Sequence, residues 1–305
     1  MPPSRLSRRT WLASILVGRL GSTSRADDSL DSVRDRGRKA GLGDFQTSST
    51  KEFQAIGDAP RRFRAEALDR CDRLAKVFRD HFTAKGFEVK KPEGLLTLVT
   101  LKSPESFAAY SGRPLKTAIG GHYNLVTNEL VMFDLREDEA KGLTSPVEAN
   151  NLVLIHEATH LLCFNTNLLS RTGDVPLAIS EGLACYGETW RPKGKNVNFG
   201  ASSSLRFQVF AEAKAAGLEW IPIDRLLADD GYFEDPATQQ LAYAESWLLI
   251  FHMMGTAANR LNLKLALANL SGRNPATGRV DRLTTTLGPG PRFDQELQRS
   301  ARWSR

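Results

Sequence analysis

The sequence predicts an α+β fold, with a small mixed sheet in the first half of the chain and a mostly helical C-terminal half. Three observations predict it. Two runs with strand character, Lys51–Ile56 and Leu95–Leu101, flank the stretch Pro60–Ala84, whose apolar residues recur at helical spacing. A strand–turn–strand pattern spans Gly120–Phe133 and turns near Thr127-Asn128. Beyond it the apolar pattern is helical to the end. At 305 residues, 41% hydrophobic and 25% charged, the chain suits one large domain or two small ones, with ample core.

The elements follow in order. Met1–Ala26 differs from the rest. Ser7-Arg8-Arg9-Thr10-Trp11-Leu12 resembles a twin-arginine export signal, and the short apolar run Trp11–Leu20 that follows is interrupted by Arg19. Ser24-Arg25-Ala26 is a small-x-small cleavage site before Asp27. The run is too short for a stable membrane span. The expectation is an exported protein, periplasmic or extracellular; the alternative is a disordered basic arm. The formal net charge of +6 is mostly targeting charge. Removing the segment's five Arg leaves 36 Lys and Arg against 35 Asp and Glu. That balance, with no basic stripe interleaved with aromatics, argues against a nucleic-acid partner. Residues 27–50 are rich in Asp, Ser, Arg and Gly and read as a flexible linker. Leu68, Cys71, Leu74, Phe78 and Phe82 share one face of the Pro60–Ala84 helix, and Gly86 follows its end. Ser103-Pro104 opens a short helix.

The stretch Asn151–Cys163 carries the chemistry. Thr144-Ser145-Pro146-Val147-Glu148 predicts its helix start, with Ser145 as N-cap, Pro146 at the first position and Glu148 closing a capping box. His156, Glu157 and His160 then fall in the order H-E-x-x-H. Residues four apart lie one turn apart on nearly the same face, so His156 and His160 can offer two imidazole nitrogens to one Zn²⁺. Glu157 leans to the same side, where it can take a proton from water at the metal. The plain alternative is a pair of core histidines. A second stretch, Pro176-Leu-Ala-Ile-Ser-Glu-Gly-Leu-Ala-Cys-Tyr186, weighs against it. Catalytic zinc takes three protein ligands and keeps one position open. Glu181 can be the third, from a helix starting near Pro176, with Gly182 letting that helix approach the first closely.

H-E-A-T-H followed by I-S-E-G-L-A-C-Y resembles the gluzincins, zinc metallopeptidases with two His and one Glu as ligands. The nearest likeness is to aminopeptidase-type gluzincins and to gluzincin-like exported proteins of planctomycete-type bacteria. Leu241–Met254 is similar to the helix that carries a catalytic Tyr in that family, which implies that the Tyr243 hydroxyl serves the oxyanion of the tetrahedral intermediate. His252 and Tyr186 are reserve candidates, with Tyr123 behind them. The resemblance implies a zincin-like domain over 51–305, with the hairpin as an edge over the cleft. In gluzincins the strand just before the zinc helix is that edge, and an extended peptide can pair with it. An ordinary hairpin is the equal alternative. The aminopeptidases carry Gly-x-x-Glu-Asn in this region, and its Glu grips the substrate amino terminus. Here Gly120-Gly-His-Tyr-Asn124 puts Tyr123 at that place, which points away from aminopeptidase specificity.

Downstream, Arg191–Ser204 reads as a loop, Leu205–Ala216 as a helix ended by Gly217, Asp224–Ala228 as a short helix, and Gln239–Met254 as a strong one. Tyr243, Trp247, Ile250 and Met254 form a stripe on the last of these. Phe293–Trp303 closes the chain as a helix. Cys71 reads as a buried thiol. Cys163 and Cys185 lie on the two metal helices, open to a disulfide in an exported protein or to two core thiols. The expectation is thus a zinc peptidase acting on a peptide or protein substrate, with internal bonds preferred. The rival is a catalytically silent protein of the same fold that keeps zinc as a structural element or serves as an interaction module. An intact Glu157 argues against the rival, because structural zinc needs no base.

Overall fold

In the computed structural model, residues 30–112, 120–137, 146–191, 199–271, 279–288 and 290–303 are described. Segment 1–26, read above as an export signal, and the expected Ser145 cap lie outside them. The described chain divides into two units. One holds residues 30–78 and 91–162, and the other holds 79–90 and those from 163 onward.

The first unit carries the sheet. Its strands are β1 (Gln46–Ser49), β2 (Phe53–Gly57), β3 (Leu96–Leu101), β4 (Gly121–Asn124) and β5 (Glu129–Phe133), in the order β1-β2-β3-β5-β4. β2–β3 and β3–β5 pair in parallel, whereas β1–β2 and β4–β5 pair antiparallel, so the sheet is mixed as expected. Every residue of β3 is buried, as the unbroken apolar and Thr run implies. The hairpin turns at Asn128, whose φ of 57° is the left-handed geometry that Asn tolerates. The hairpin stands at the sheet edge, but the edge strand is β4. β5, the strand that precedes the H-E-x-x-H helix, is interior, because β3 already pairs with its other side.

Helices α1 (Leu30–Lys39), α2 (Arg61–Ala84) and α3 (Pro104–Ser111) also begin in this unit. Ser103 caps α3 by accepting the Ser106 N–H. A core of Val33, Ile56, Val99, Leu101, Phe107, Val131, Phe133, Leu135, Ala149 and Val153 joins helices to sheet. The expected flexible linker over 27–50 is not one across 30–49: α1 and β1 occupy it. Val33 gives α1 a fully buried anchor, and Arg36 pairs with Glu129 and donates to the Tyr110 hydroxyl at 2.9 Å. β1 is polar and held by its backbone ladder to β2.

After β5 comes a 3-10 turn (Leu135–Glu137), then α4 (Pro146–Asn165). Asn150 on α4 accepts the Leu135 N–H at 3.0 Å and donates to Asp134 at 3.0 Å, tying the end of β5 to the helix. A Cβ on Gly120 or Gly121 would come within 2.9 or 2.8 Å of Val153. Those two glycines let the hairpin lie against α4 just before His156.

The second unit is helical among its described residues. It contains α5 (Leu177–Gly187), α6 (Ser204–Ala215), α7 (Ile223–Ala228), a 3-10 turn (Asp230–Phe233), α8 (Gln239–Met253), α9 (Ala257–Ser271), α10 (Arg279–Leu287) and α11 (Pro291–Ser300). α5 packs along α8, and the α8 stripe of Tyr243, Trp247, Ile250 and Met254 is buried. The last helix ends earlier than expected, and Trp303 beyond it meets Trp220 and Phe210. No helix among the described residues is long and apolar enough to cross a membrane.

Candidate metal centre

α4 presents His156 and His160 one turn apart, 2% and 0% exposed, with their Nε2 atoms 3.2 Å apart. Two nitrogens bound to one tetrahedral zinc at about 2.0–2.1 Å stand about 3.3–3.4 Å from each other. The separation therefore suits a shared ion. Glu181, the third ligand candidate, is buried on α5 of the second unit. Two imidazoles and a carboxylate are a donor set that suits zinc.

Glu157 is fully buried, and its Oε2 accepts the Tyr123 backbone N–H at 2.7 Å. This hydrogen bond follows from the fold. Tyr123 lies on the edge strand, whose outer N–H groups have no neighbouring strand among the described residues. Glycines 120 and 121 bring that strand onto α4, so the carboxylate can receive one of them. The Tyr123 ring stacks against His160, with centroids 6.4 Å apart and 19° between planes, while its hydroxyl donates to Asn128 at 2.8 Å.

Two further residues with donor atoms, Cys185 and Glu188, are buried in the same unit as Glu181. Neither Cys185 nor Glu188 was singled out as a ligand by the H-E-x-x-H pattern. Cys185 lies on α5 and Glu188 is its C-cap, four and seven positions after Glu181, and that spacing was the available signal. Glu188 has a further partner. Arg206, 5% exposed near the start of α6, donates from one Nη2 to both Glu188 oxygens at 2.7 and 2.6 Å. Burial alone would pull the Arg206 guanidinium down. Cys185 and Glu188 beside it outweigh burial and hold it above its ordinary value. Its Cζ also stands 5.9 Å from the Tyr243 ring centroid. Nothing in the sequence links Arg206 to Glu188, 18 positions earlier.

Tyr243 is buried, with its ring edge-on to Phe233 and in reach of Arg206. The reserve candidates fall elsewhere. The Tyr186 hydroxyl is 3.0 Å from His81 Nε2, and His252 is partly exposed beside Phe293. The atoms that a Cβ on Gly182 would meet first belong to Ser246 and Ile250 of α8. Cys71, Cys163 and Cys185 are buried and none is in a disulfide, so the disulfide alternative gives way to core thiols.

A model of the family described as Protein of unknown function (DUF1570) matches residues 151–277. The matched stretch contains His156, Glu157, His160, Glu181, Glu188, Arg206 and Tyr243. No curated protein matches the chain.

Proposed function

We propose that the protein is a zinc-dependent peptidase of the zincin type, with His156, His160 and Glu181 as metal ligands and Glu157 as general base. The observation that carries this is the arrangement on α4, where two imidazole nitrogens stand 3.2 Å apart beside a non-ligand carboxylate. A structural site has no use for that carboxylate. Bound zinc would polarise the scissile carbonyl and lower the pKa of water at its open position. Glu157 accepts the proton and delivers it to the leaving amine. Tyr243, through its hydroxyl, steadies the oxyanion. Tyr123 in place of an amine-gripping Glu favours cleavage of internal bonds in a peptide or protein substrate.

One observation favours the second reading, a catalytically silent zinc protein: His156, Glu157, His160 and Glu181 are all 2% exposed or less. Two variants separate the readings. Glu157→Gln removes the base but no ligand, so zinc content and fold should stay and hydrolysis of an unstructured protein substrate should drop at least ~10²-fold. Tyr243→Phe should also keep zinc and lose ~10²-fold or more. Zinc bound at about one per chain with no hydrolysis in the wild type supports the silent protein. Unchanged turnover in Glu157→Gln removes the mechanism.

A further inference from the structure

Helix α6 carries a groove of about 810 Å³, and every residue that lines it belongs to the second unit. That volume falls in the range of small-molecule sites, about 300–1,000 Å³. Ser204, Phe207, Ala211 and Ala215 follow one another at three or four positions, so they form one stripe over the length of α6, about 16 Å. Ala211 and Ala215 are exposed, and their small side chains leave the stripe concave. Its floor is aromatic and held in place. Phe210 is buried, stacks on Trp220 at 6.0 Å and meets Trp303 edge-on, while Phe207 stands edge-on to Trp247. Ser202 lies just before the start of α6 and Lys214 near its end. The Lys214 ammonium uses one of its three N–H groups on the Trp303 carbonyl at 2.7 Å, which places the neighbouring Arg302 at the same end. No acid lines the groove among the described residues. Arg302 stands just past the α11 cap with φ 55°, where Gly is the usual choice because a Cβ is strained there. The turn closes without any arginine side chain: the Arg302 N–H donates to the Arg299 carbonyl at 3.1 Å and the Trp303 N–H to the Gln298 carbonyl at 2.7 Å. The helix end therefore gives no reason for a guanidinium here, whereas the groove does. We propose that the groove binds a linear fatty carboxylate, with the acyl chain along Phe207 and Phe210 and the carboxylate at Lys214 and Arg302. The length of the stripe favours a linear chain over a compact ring. The aromatic floor and alanine walls favour hydrocarbon, and two cations without an acid favour one anionic end.

Calorimetry on the full chain tests this with laurate, octanoate and dodecanol. Laurate should bind at about one per chain. Octanoate buries four methylenes fewer and should bind at least ~10-fold more weakly. Exposed ion pairs are individually weak, so the two cations together account for ~10-fold. Dodecanol, which keeps the chain and lacks the charge, should be weaker than laurate by that factor. Lys214→Gln/Arg302→Gly should weaken laurate equally and leave dodecanol unchanged. Arg302→Gly alone should weaken laurate a few-fold while Tm holds or rises, because glycine relieves the left-handed backbone; an arginine kept only for structure would show the reverse. Ala211→Trp fills the groove from an exposed position and should abolish saturable laurate binding in a folded chain. A wild type without saturable laurate binding overturns the proposal. So does equal affinity for laurate and dodecanol, or laurate binding that Ala211→Trp leaves intact. Should Ala211→Trp not fold, Lys214→Gln/Arg302→Gly decides, and laurate affinity equal to wild type overturns the proposal. A dimer that excludes laurate and is lost in Ala211→Trp assigns the groove to a second copy of the chain and overturns it as well.

Discussion

Replacing Gly182 by Ala tests the contact that fixes α5, and with it Glu181, against α8. In an open helix interior the change would stabilise by about 1 kcal/mol, because Ala is the better helix former. Gly182 is not open. A Cβ there would lie 2.8 Å from Ile250 Cγ1 and 2.9 Å from the Ser246 carbonyl carbon, with the Ser246 oxygen nearer still. Ordinary van der Waals contact begins at 3.4 Å. The helices must therefore part by about 0.5 Å or more in an interior that packs densely. Ile250 can turn its side chain, but the Ser246 carbonyl is α8 backbone and cannot. Overpacking of this kind costs about 1–3 kcal/mol, and backbone contact argues for the upper end. After the propensity gain, the expected net loss is about 2 kcal/mol. That corresponds to a fall in Tm of about 4–8 °C for a domain of this size. Thermal and urea unfolding measure it, with Gly94→Ala as control, since a Cβ on Gly94 meets nothing within 4 Å. Zinc affinity by chelator competition should fall in Gly182→Ala, because Glu181 is the adjoining residue. A Tm equal to or above wild type would refute the reasoning, since it would mean that helix propensity outweighs the contact.

Three further outcomes are expected. Burial, with Lys85 adding to it, depresses His81 from 6.5 to about 4, so the unfolded chain protonates this residue first as pH falls. Stability supplied at His81 is present above pH 6.5 and is lost as pH drops towards 4; His81→Gln should flatten that part of a urea-midpoint profile, and an unchanged profile would contradict the assignment. Glu245 runs the other way: burial raises it well above 4.5, Asp294 adds to this, and the Ile221 N–H at 3.0 Å only partly opposes them. Its folded form holds the proton longer, so its contribution is complete below pH 4.5 and declines as pH rises; Glu245→Gln should gain on wild type steadily from pH 5 to 8, and a constant difference would exclude the linkage. Because Arg8 and Arg9 match the twin-arginine pattern, N-terminal sequencing of the exported protein should begin near Asp27; an intact Met1 in a cytoplasmic fraction would contradict it.

How much could be read from the chain depended on whether covalent spacing or tertiary approach sets the geometry. His156 and His160 were legible because a helix turn fixes their separation wherever the helix sits. β3 was legible because six consecutive buried residues leave an unbroken apolar and Thr run. β1 was not: Gln46-Thr-Ser-Ser49 has no apolar alternation, and it pairs through backbone groups that any residue carries. α1 was hidden by charge, with one buried apolar anchor, Val33, among Asp and Arg. The hydrogen bond from the Tyr123 N–H to Glu157 was invisible for the same reason as β1, since a backbone donor leaves no mark on residue type. Gly182 shows the intermediate case. Its small size announced a close approach, but only the fold says that the neighbour is α8. Arg206 lies at the far end of this scale. The pattern H-E-x-x-H with a downstream Glu picks out His156, His160 and Glu181, yet it is silent on the buried ion pair that Glu188 makes just past the end of α5. That pair needs a cation from another helix, brought to Glu188 by folding alone. A search of the sequence finds residues whose spacing along the chain sets their geometry; partners brought together by folding become readable only once the chain has folded.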